Sequence, residues 1–291
     1  MTLQGTYTAL ITPFQSDLEL DKESLIRMID LQIKAQVEGI VILGTTAEVA
    51  TLSLEEKKYI IETTVAQCKG TPTKVMVGAG TNYTKTTIEQ IQLFEKMGVD
   101  SFLLITPYYN KPPQEGIYNH FAEAAKASFL PICLYNIPGR TSVNMEAETV
   151  SKLMDIENIL SIKEASGNFT QINSILAAAK EKKNSFTVLS GEDSLIAPML
   201  SIGCKGVISA TANIAPKQVK ELIDTQNTKL HFQLLPLFKA MSLSTNPIPI
   251  KHMLFSKGLI HTPLCRSPLC PMDEKGAEFL THFIKTNPQT Q

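Results

Sequence analysis

The most informative stretch of the chain is NILSIKEASG at residues 158–167. A short apolar run leads up to Lys163, which is typical of a buried strand that ends at a lysine. An ammonium at such a position has to reach solvent, pair with a carboxylate such as Glu164, or become neutral, because burying an unpaired charge is unfavourable. The rest of the chain favours a functional lysine.

Runs of β-type residues alternate with amphipathic helical segments along the chain, which indicates a series of strand–helix units. The predicted strands are residues 7–12, 39–43, 74–78, 101–105, 131–135, 159–163, 187–190 and 206–209. Eight such units in series are typical of a (β/α)8 barrel. The alternative is a doubly wound open sheet. A dinucleotide-binding sheet carries G-x-G-x-x-G after its first strand, whereas only G-x-G is present here, after the third.

We therefore predict an α/β fold, a (β/α)8 TIM barrel with a C-terminal helical region. The barrel, which would carry the active site, is predicted over residues 1–225, and the helical region over residues 226–291. A capping-box pattern at Ser53 and Glu56 marks the start of one helix.

Composition excludes several classes of protein. The 291 residues are 43% hydrophobic and carry a net charge of −1, so the chain can bury a large core and lacks the basic excess of a nucleic-acid surface. It has no apolar run long enough to span a membrane, and its first residues lack the pattern of a signal peptide. We expect a cytoplasmic protein without nucleic-acid or membrane partners.

Metal chemistry and phosphate binding are both disfavoured. The five cysteines form no C-x-x-C pair, and the spacing of His261, Cys265 and Cys270 does not match a zinc site. No histidine lies at a predicted strand end, where a metal-dependent aldolase would need its ligands. Glu192 and Asp193 follow the seventh strand and would repel a phosphate.

The predicted strand ends instead surround Lys163 with hydroxyl groups, which favours Schiff-base chemistry on a carbonyl substrate. The amine must be neutral to attack, and burial disfavours its charged form. Tyr135 is a candidate for proton transfer, and it is otherwise an aromatic at the barrel rim. Thr45 and Thr46 follow a glycine and are candidates for binding a carboxylate, although such a turn is often structural. Arg140 suits a second carboxylate, or it is a surface charge.

Motifs in the same order, and on the same strand ends, characterise a known family. They are GTTxE at residues 44–48, TPYYN at 106–110, YNxPxRT at 135–141, IKEASGN at 162–168, LSG at 189–191, GVIS at 206–209 and NPIPxK at 246–251. With these motifs the chain resembles the dihydrodipicolinate synthase family, in the superfamily of pyruvate-dependent class I aldolases that includes N-acetylneuraminate lyase.

The resemblance implies a lyase that joins pyruvate to L-aspartate 4-semialdehyde and yields (4S)-4-hydroxy-2,3,4,5-tetrahydrodipicolinate, the entry step to diaminopimelate and lysine. It implies no metal or organic cofactor and a homotetramer built as a dimer of dimers. Another pyruvate aldolase, such as N-acetylneuraminate lyase, and a non-catalytic pyruvate-binding homologue remain alternatives. The arginine in YNxPxRT and the sequence GTT, where the neuraminate lyases usually have GST, favour the synthase.

The resemblance also implies a role for each site residue. Lys163 would form the imine, and a proton relay would consist of Tyr135, Thr45 and Tyr109, with Tyr109 supplied by a neighbouring subunit. The substrate-binding residues would be Thr46, Arg140, Gly191 and Ile208, in addition to Thr45.

The family's site for feedback inhibition by lysine is matched only in part, at Ala50, Asn82 and Tyr108. Inhibited enzymes carry a serine, two histidines and a glutamate at the positions that are here Val49, Leu54, Lys57 and Thr86. Without that glutamate, and with an added positive charge, the site is poorly suited to an ammonium group. We predict weak or absent inhibition by lysine. Ala47 replaces the glycine that usually follows GTT, and we expect a strained or shifted loop if this position needs a positive φ.

Overall fold

The computed structural model describes residues 2–182, 185–287 and 289, and in these residues eight parallel strands close into a barrel in the order β1 to β8. The predicted (β/α)8 barrel is thus confirmed. The strands are β1 Gly5–Ala9, β2 Gly39–Ile42, β3 Lys74–Gly78, β4 Ser101–Ile105, β5 Ile132–Asn136, β6 Ile159–Glu164, β7 Thr187–Ser190 and β8 Gly206–Ser209.

Helices follow the strands and continue beyond the barrel, as predicted for the C-terminal region. They are α1 Lys22–Lys34, α2 Leu54–Cys68, α3 Thr84–Glu95, α4 Gln114–Ala125, α5 Pro138–Thr141, α6 Ala147–Leu153, α7 Phe169–Glu181, α8 Ile196–Ser201, α9 Pro216–Thr225, α10 Thr228–Met241, α11 Ile248–Ser256 and α12 Glu274–Thr286. The predicted capping box is present at the start of α2, where Ser53 and Glu56 each accept a hydrogen bond from the other's backbone N–H. Among the described residues, no helix is long and apolar enough to cross a membrane.

The first strand differs most from its prediction. The sequence predicts a strand over residues 7–12, whereas β1 covers Gly5–Ala9. The reason is the side chain of Asn213, which donates to the carbonyl of Ala9 and accepts from the N–H of Ile11. These backbone groups therefore bond to a side chain where a longer strand would pair with its neighbour.

The chain forms two compact units, the first comprising Met1–Gly5 with Val75–Ile208 and the second Thr6–Lys74 with Ser209–Gln291. The second unit groups the C-terminal helices with β1 and β2, and the boundary expected after residue 225 stays a prediction.

In the first unit, strands β3 to β8 pair in parallel, and most of their residues are buried on both faces. This burial explains the nearly continuous apolar runs of the sequence. The pairing of β5 with β6 places Tyr135 directly beside Lys163.

Candidate active site

Lys163 and Tyr135 lie together at the ends of their strands in the first unit. The Lys163 Nζ is 4.3 Å from the centroid of the Tyr135 ring. Both residues are buried, with 7% and 5% of their surface exposed. The structure therefore places the predicted nucleophile against the predicted proton-transfer residue, in a position largely shielded from water.

Gly191 provides the space in which the lysine side chain lies. A Cβ atom at this glycine would come within 3.0 Å of the Lys163 Cε, 3.1 Å of its Cγ and 2.7 Å of the Ala165 Cβ. The Gly191 N–H donates to the Glu164 carbonyl at 2.8 Å, which fixes the two strand ends next to each other. Glycine is needed here because the backbone approaches the reactive side chain so closely.

Glu164 is not the partner of Lys163 in the described part of the chain. Its carboxylate accepts hydrogen bonds from Asn136 Nδ2 at 3.1 Å, from Gln171 Nε2 at 3.1 Å and from the Ser166 N–H at 2.7 Å. Successive side chains of a strand point to opposite faces, so the two adjacent residues of β6 occupy different environments. The interpretation in which Lys163 only pairs with its neighbour is therefore wrong.

The same carboxylate network supports the segment that carries Arg140. Asn136 accepts the N–H of Met145 at 3.0 Å and donates to Asn144 Oδ1 at 2.9 Å. Arg140 itself lies in α5 and is exposed. The sequence motifs that contain Glu164 and Asn136 do not predict a role for either residue. The contacts that connect them with residues 144 and 145 join separate parts of the chain, and a local sequence pattern does not show such contacts.

Tyr109 is exposed, in contrast to the other predicted relay residues. It has 87% of its surface accessible and a φ of 74°, and Tyr108 is also exposed. Asn110 Nδ2 donates to the carbonyl of Asn82 at 2.8 Å. Tyr109 thus presents its ring outward from its own chain.

Thr45 and Thr46 lie in the second unit, in a 3-10 turn, Thr45–Ala47, that follows β2. The Thr46 Oγ1 accepts a hydrogen bond from Asn246 Nδ2 at 3.0 Å. The carbonyl of Ala47 accepts from Thr12 Oγ1 at 2.8 Å. Positive φ values occur in this loop at Leu43 (55°) and Glu48 (54°), whereas Ala47 lies within the 3-10 turn, so the condition for strain at Ala47 is not met.

Glu48 begins a cluster that sequence reasoning missed. Its Oε1 lies 2.5 Å from the Nζ of Lys251, and both side chains are buried. Its Oε2 accepts the backbone N–H of Arg266 at 2.9 Å. Lys251 ends the motif NPIPxK, and a lysine among apolar helix residues is the signal that could have drawn attention to it.

The remaining predicted residues and the buried thiols differ in their surroundings. Ile208 lies on β8 and is buried, whereas Ala50 is exposed. Burial raises the pKa of the Cys133 thiol to about 11, so this cysteine of β5 is protonated at neutral pH and does not compete with Lys163 as a nucleophile.

His261 Nδ1 is 2.8 Å from Asp21 Oδ2, and the described residues contain no cluster of His, Cys, Asp and Glu that could hold a metal ion.

Known proteins resemble this chain over nearly its full length. The model of the dihydrodipicolinate synthetase family matches residues 2–287. The 4-hydroxy-tetrahydrodipicolinate synthase of Protochlamydia amoebophila is 41% identical over 296 residues, covering 99% of this chain and 98% of that protein. The enzyme of the same name from Methanocaldococcus jannaschii is 43% identical over 290 residues, covering 97% and 98%. The crystal structure of dihydrodipicolinate synthase from Thermotoga maritima matches with a TM-score of 0.94 at 37% identity, covering 99% of this chain and 100% of that one. The chain belongs to the dihydrodipicolinate synthetase family.

Proposed function

We propose that this chain is a lyase that condenses pyruvate with L-aspartate 4-semialdehyde to 4-hydroxy-tetrahydrodipicolinate, at the entry to diaminopimelate and lysine biosynthesis, with Lys163 as its nucleophile. The observation that carries the proposal is the buried Lys163, whose Nζ lies over the Tyr135 ring and whose stem lies against Gly191. Membership of the family supports the same substrates.

The reaction begins when the neutral amine of Lys163 attacks the ketone carbon of pyruvate and water leaves, giving an imine. The protonated imine withdraws electrons from the adjacent methyl group, which loses a proton and becomes an enamine carbon. This carbon attacks the aldehyde of the second substrate, whose oxygen takes up a proton. The substrate amine then displaces Lys163 from the imine, and the product ring closes as the lysine is released.

Each proton transfer needs a nearby hydroxyl group. Tyr135 is the first carrier, because its ring contacts the Lys163 amine. Thr45 and Tyr109 would continue the relay, with Tyr109 acting in the site of a second copy. The outward position of Tyr109, with 87% of its surface accessible, supports such a role.

Substrate carboxylates would be bound at two places. The Thr45–Thr46 turn offers backbone N–H groups and hydroxyls to the carboxylate of pyruvate, and Gly191 and Ile208 shape the pocket around its carbon atoms. Arg140 presents a planar guanidinium to the carboxylate of the aldehyde substrate.

The contribution of Tyr109 from a neighbour requires an oligomer, and we propose a homotetramer that is a dimer of dimers and acts in the cytoplasm.

The imine supplies the electron sink, so the mechanism uses no metal or organic cofactor. Feedback inhibition by lysine would be weak or absent, because only Ala50, Asn82 and Tyr108 of the inhibitor site are retained.

The proposed function is tested by turnover of pyruvate with L-aspartate 4-semialdehyde, coupled to the reductase that consumes the product, for wild type and Lys163→Ala. We expect robust activity that largely vanishes in the variant. Borohydride trapping with pyruvate alone should attach the substrate to Lys163 only in the wild type. Trapping without turnover would indicate a different aldehyde, to be sought among sugar acids, and no trapping at all would refute the proposed nucleophile.

A further inference from the structure

Glu48, which directly follows the Thr45–Ala47 turn, combines two properties that residues of its type rarely show. Its backbone is left-handed, with φ 54° and ψ 38°, a conformation that is unfavourable for side chains other than glycine, asparagine and aspartate. Its carboxylate is also almost fully buried. A buried carboxylate needs partners for both oxygens, so the residues that supply them determine where this end of the turn lies.

Lys251 and Arg266, two partners of the Glu48 carboxylate, come from the C-terminal part of the chain. Lys251 of α11 lies 2.5 Å from Oε1 and donates to the carbonyl of Leu264 at 2.9 Å. The backbone N–H of Arg266 donates to Oε2 at 2.9 Å. Buried ion pairs often add little stability compared with apolar residues of similar size, and some instead fix one arrangement of the backbone. Here the pair fixes the residue that follows the turn.

A third contact determines the direction of a hydroxyl group. The Thr46 Oγ1 accepts the hydrogen bond from Asn246 Nδ2 at 3.0 Å. Because a hydroxyl group has a single proton, Thr46 can then donate that proton to another acceptor. A substrate carboxylate is an acceptor only, so Asn246 holds Thr46 in the state that such a substrate requires.

We propose that Asn246, Glu48 and Lys251 are positioning residues that hold the Thr45–Thr46 turn as a hydrogen-bond donor to the carboxylate of pyruvate. This inference rests on the proposed function, in which that turn binds pyruvate. None of the three residues needs to touch the substrate. They act through the turn: Asn246 orients the Thr46 hydroxyl group, and the Glu48–Lys251 ion pair holds the backbone that follows Thr46.

The test is the pyruvate concentration that gives half-maximal borohydride trapping on Lys163, measured beside the KM values of both substrates. In Asn246→Asp the new carboxylate accepts the Thr46 proton, so we expect this concentration to rise roughly tenfold or more, the effect of losing a hydrogen bond to a charged group. The KM for the aldehyde should change much less. A residue with a merely structural role would lower stability without separating the two substrates.

The ion pair is tested with Glu48→Gln combined with Lys251→Met, because each single change leaves a buried charge without its partner and endangers folding. The double variant should fold, and its half-maximal borohydride trapping should require more pyruvate than that of the wild type. Glu38→Gln is the matched control, since it makes the same chemical change at Glu38, which binds Lys220 and the Thr6 N–H. It should retain the wild-type pyruvate dependence.

Two results would overturn the inference in different ways. If Asn246→Asp and the double variant fold and keep the wild-type pyruvate dependence, the positioning role is refuted. Trapping of pyruvate by the wild type would in that case still uphold the proposed function. A wild type that forms no imine with pyruvate would overturn the proposed function, and this inference with it.

Discussion

Replacing Gly191 with alanine should disable the site while leaving its chemical groups in place. The added Cβ would lie 2.7 Å from the Ala165 Cβ and 3.0 Å from the Lys163 Cε. Carbon atoms pack at about 3.5–4.0 Å, so the first contact has to open by roughly 1 Å and the second by at least ~0.5 Å. Ala165 is a rigid methyl group next to the strand, and the lysine stem therefore moves furthest.

The size of the effect follows from that displacement. Overpacking a dense region destabilises a protein by about 1–3 kcal/mol, which a folded domain generally tolerates. A reacting group that is misplaced by about 1 Å can slow catalysis roughly a hundredfold. We therefore expect a folded Gly191→Ala protein with kcat/KM lowered by about two orders of magnitude.

The assay is the coupled turnover measurement together with the rate of borohydride trapping at saturating pyruvate. Combining Gly191→Ala with Ala165→Gly removes the 2.7 Å contact and should restore part of the activity. Gly139→Ala is the control, because a Cβ at that position has no described heavy atom within 4 Å. A folded Gly191→Ala enzyme with wild-type kcat/KM would refute the conclusion that the space at Gly191 places the lysine.

Three further predictions concern protonation, thiol chemistry and regulation. Burial lowers the pKa of His120 to about 4, so the unfolded chain binds more protons between about pH 4 and 6.5 and stability should rise with pH in this window, by up to about 3 kcal/mol. Urea unfolding at several pH values should show a flatter dependence for His120→Asn, and an unchanged slope would contradict the assignment. A thiol reagent should label Cys270 in the native protein and spare the four buried cysteines, as counted by mass spectrometry before and after denaturation. L-lysine should inhibit weakly or not at all, Thr86→Glu should increase sensitivity, and half-inhibition of the wild type at micromolar to low millimolar lysine would contradict the prediction.

The barrel and the lysine site could be predicted because both depend on local patterns. Strands β3 to β8 lie within a residue or so of their predicted bounds, since runs of β-type residues between turn residues define them directly. Lys163 stands out because a charge at the end of an apolar strand is unusual, and Tyr135 is its neighbour through parallel pairing of consecutive strands. The prediction for β1 is wrong because the end of this strand is determined by Asn213, a residue some two hundred positions away.

The loop after β2 shows why local reasoning about single positions fails. The motif predicts strain at Ala47, where relatives usually have glycine, only if that position needs a positive φ. In the structure Ala47 lies within a 3-10 turn, and Glu48 takes the left-handed conformation. The burial of the Glu48 carboxylate against Lys251 and Arg266 makes that conformation acceptable, and these partners are separated from it by more than two hundred residues.

Arg266 lies in the segment His261–Pro271, which contains prolines and cysteines and for which no sequence motif indicates a role. Its guanidinium lies 4.3 Å from the centroid of the Phe14 ring and forms two hydrogen bonds with the Glu56 carboxylate. These bonds are the main reason that the pKa of Glu56 is lowered. Glu56 is also the capping-box residue of α2. The local pattern explains its contact with Ser53, and Arg266 is a second partner that is distant in the sequence. Because the Arg266 backbone also binds Glu48, the start of α2 and the Thr45–Thr46 turn are anchored by one residue of the C-terminal segment. That segment therefore belongs to the support of the candidate pyruvate site, which explains an arginine among its prolines and cysteines.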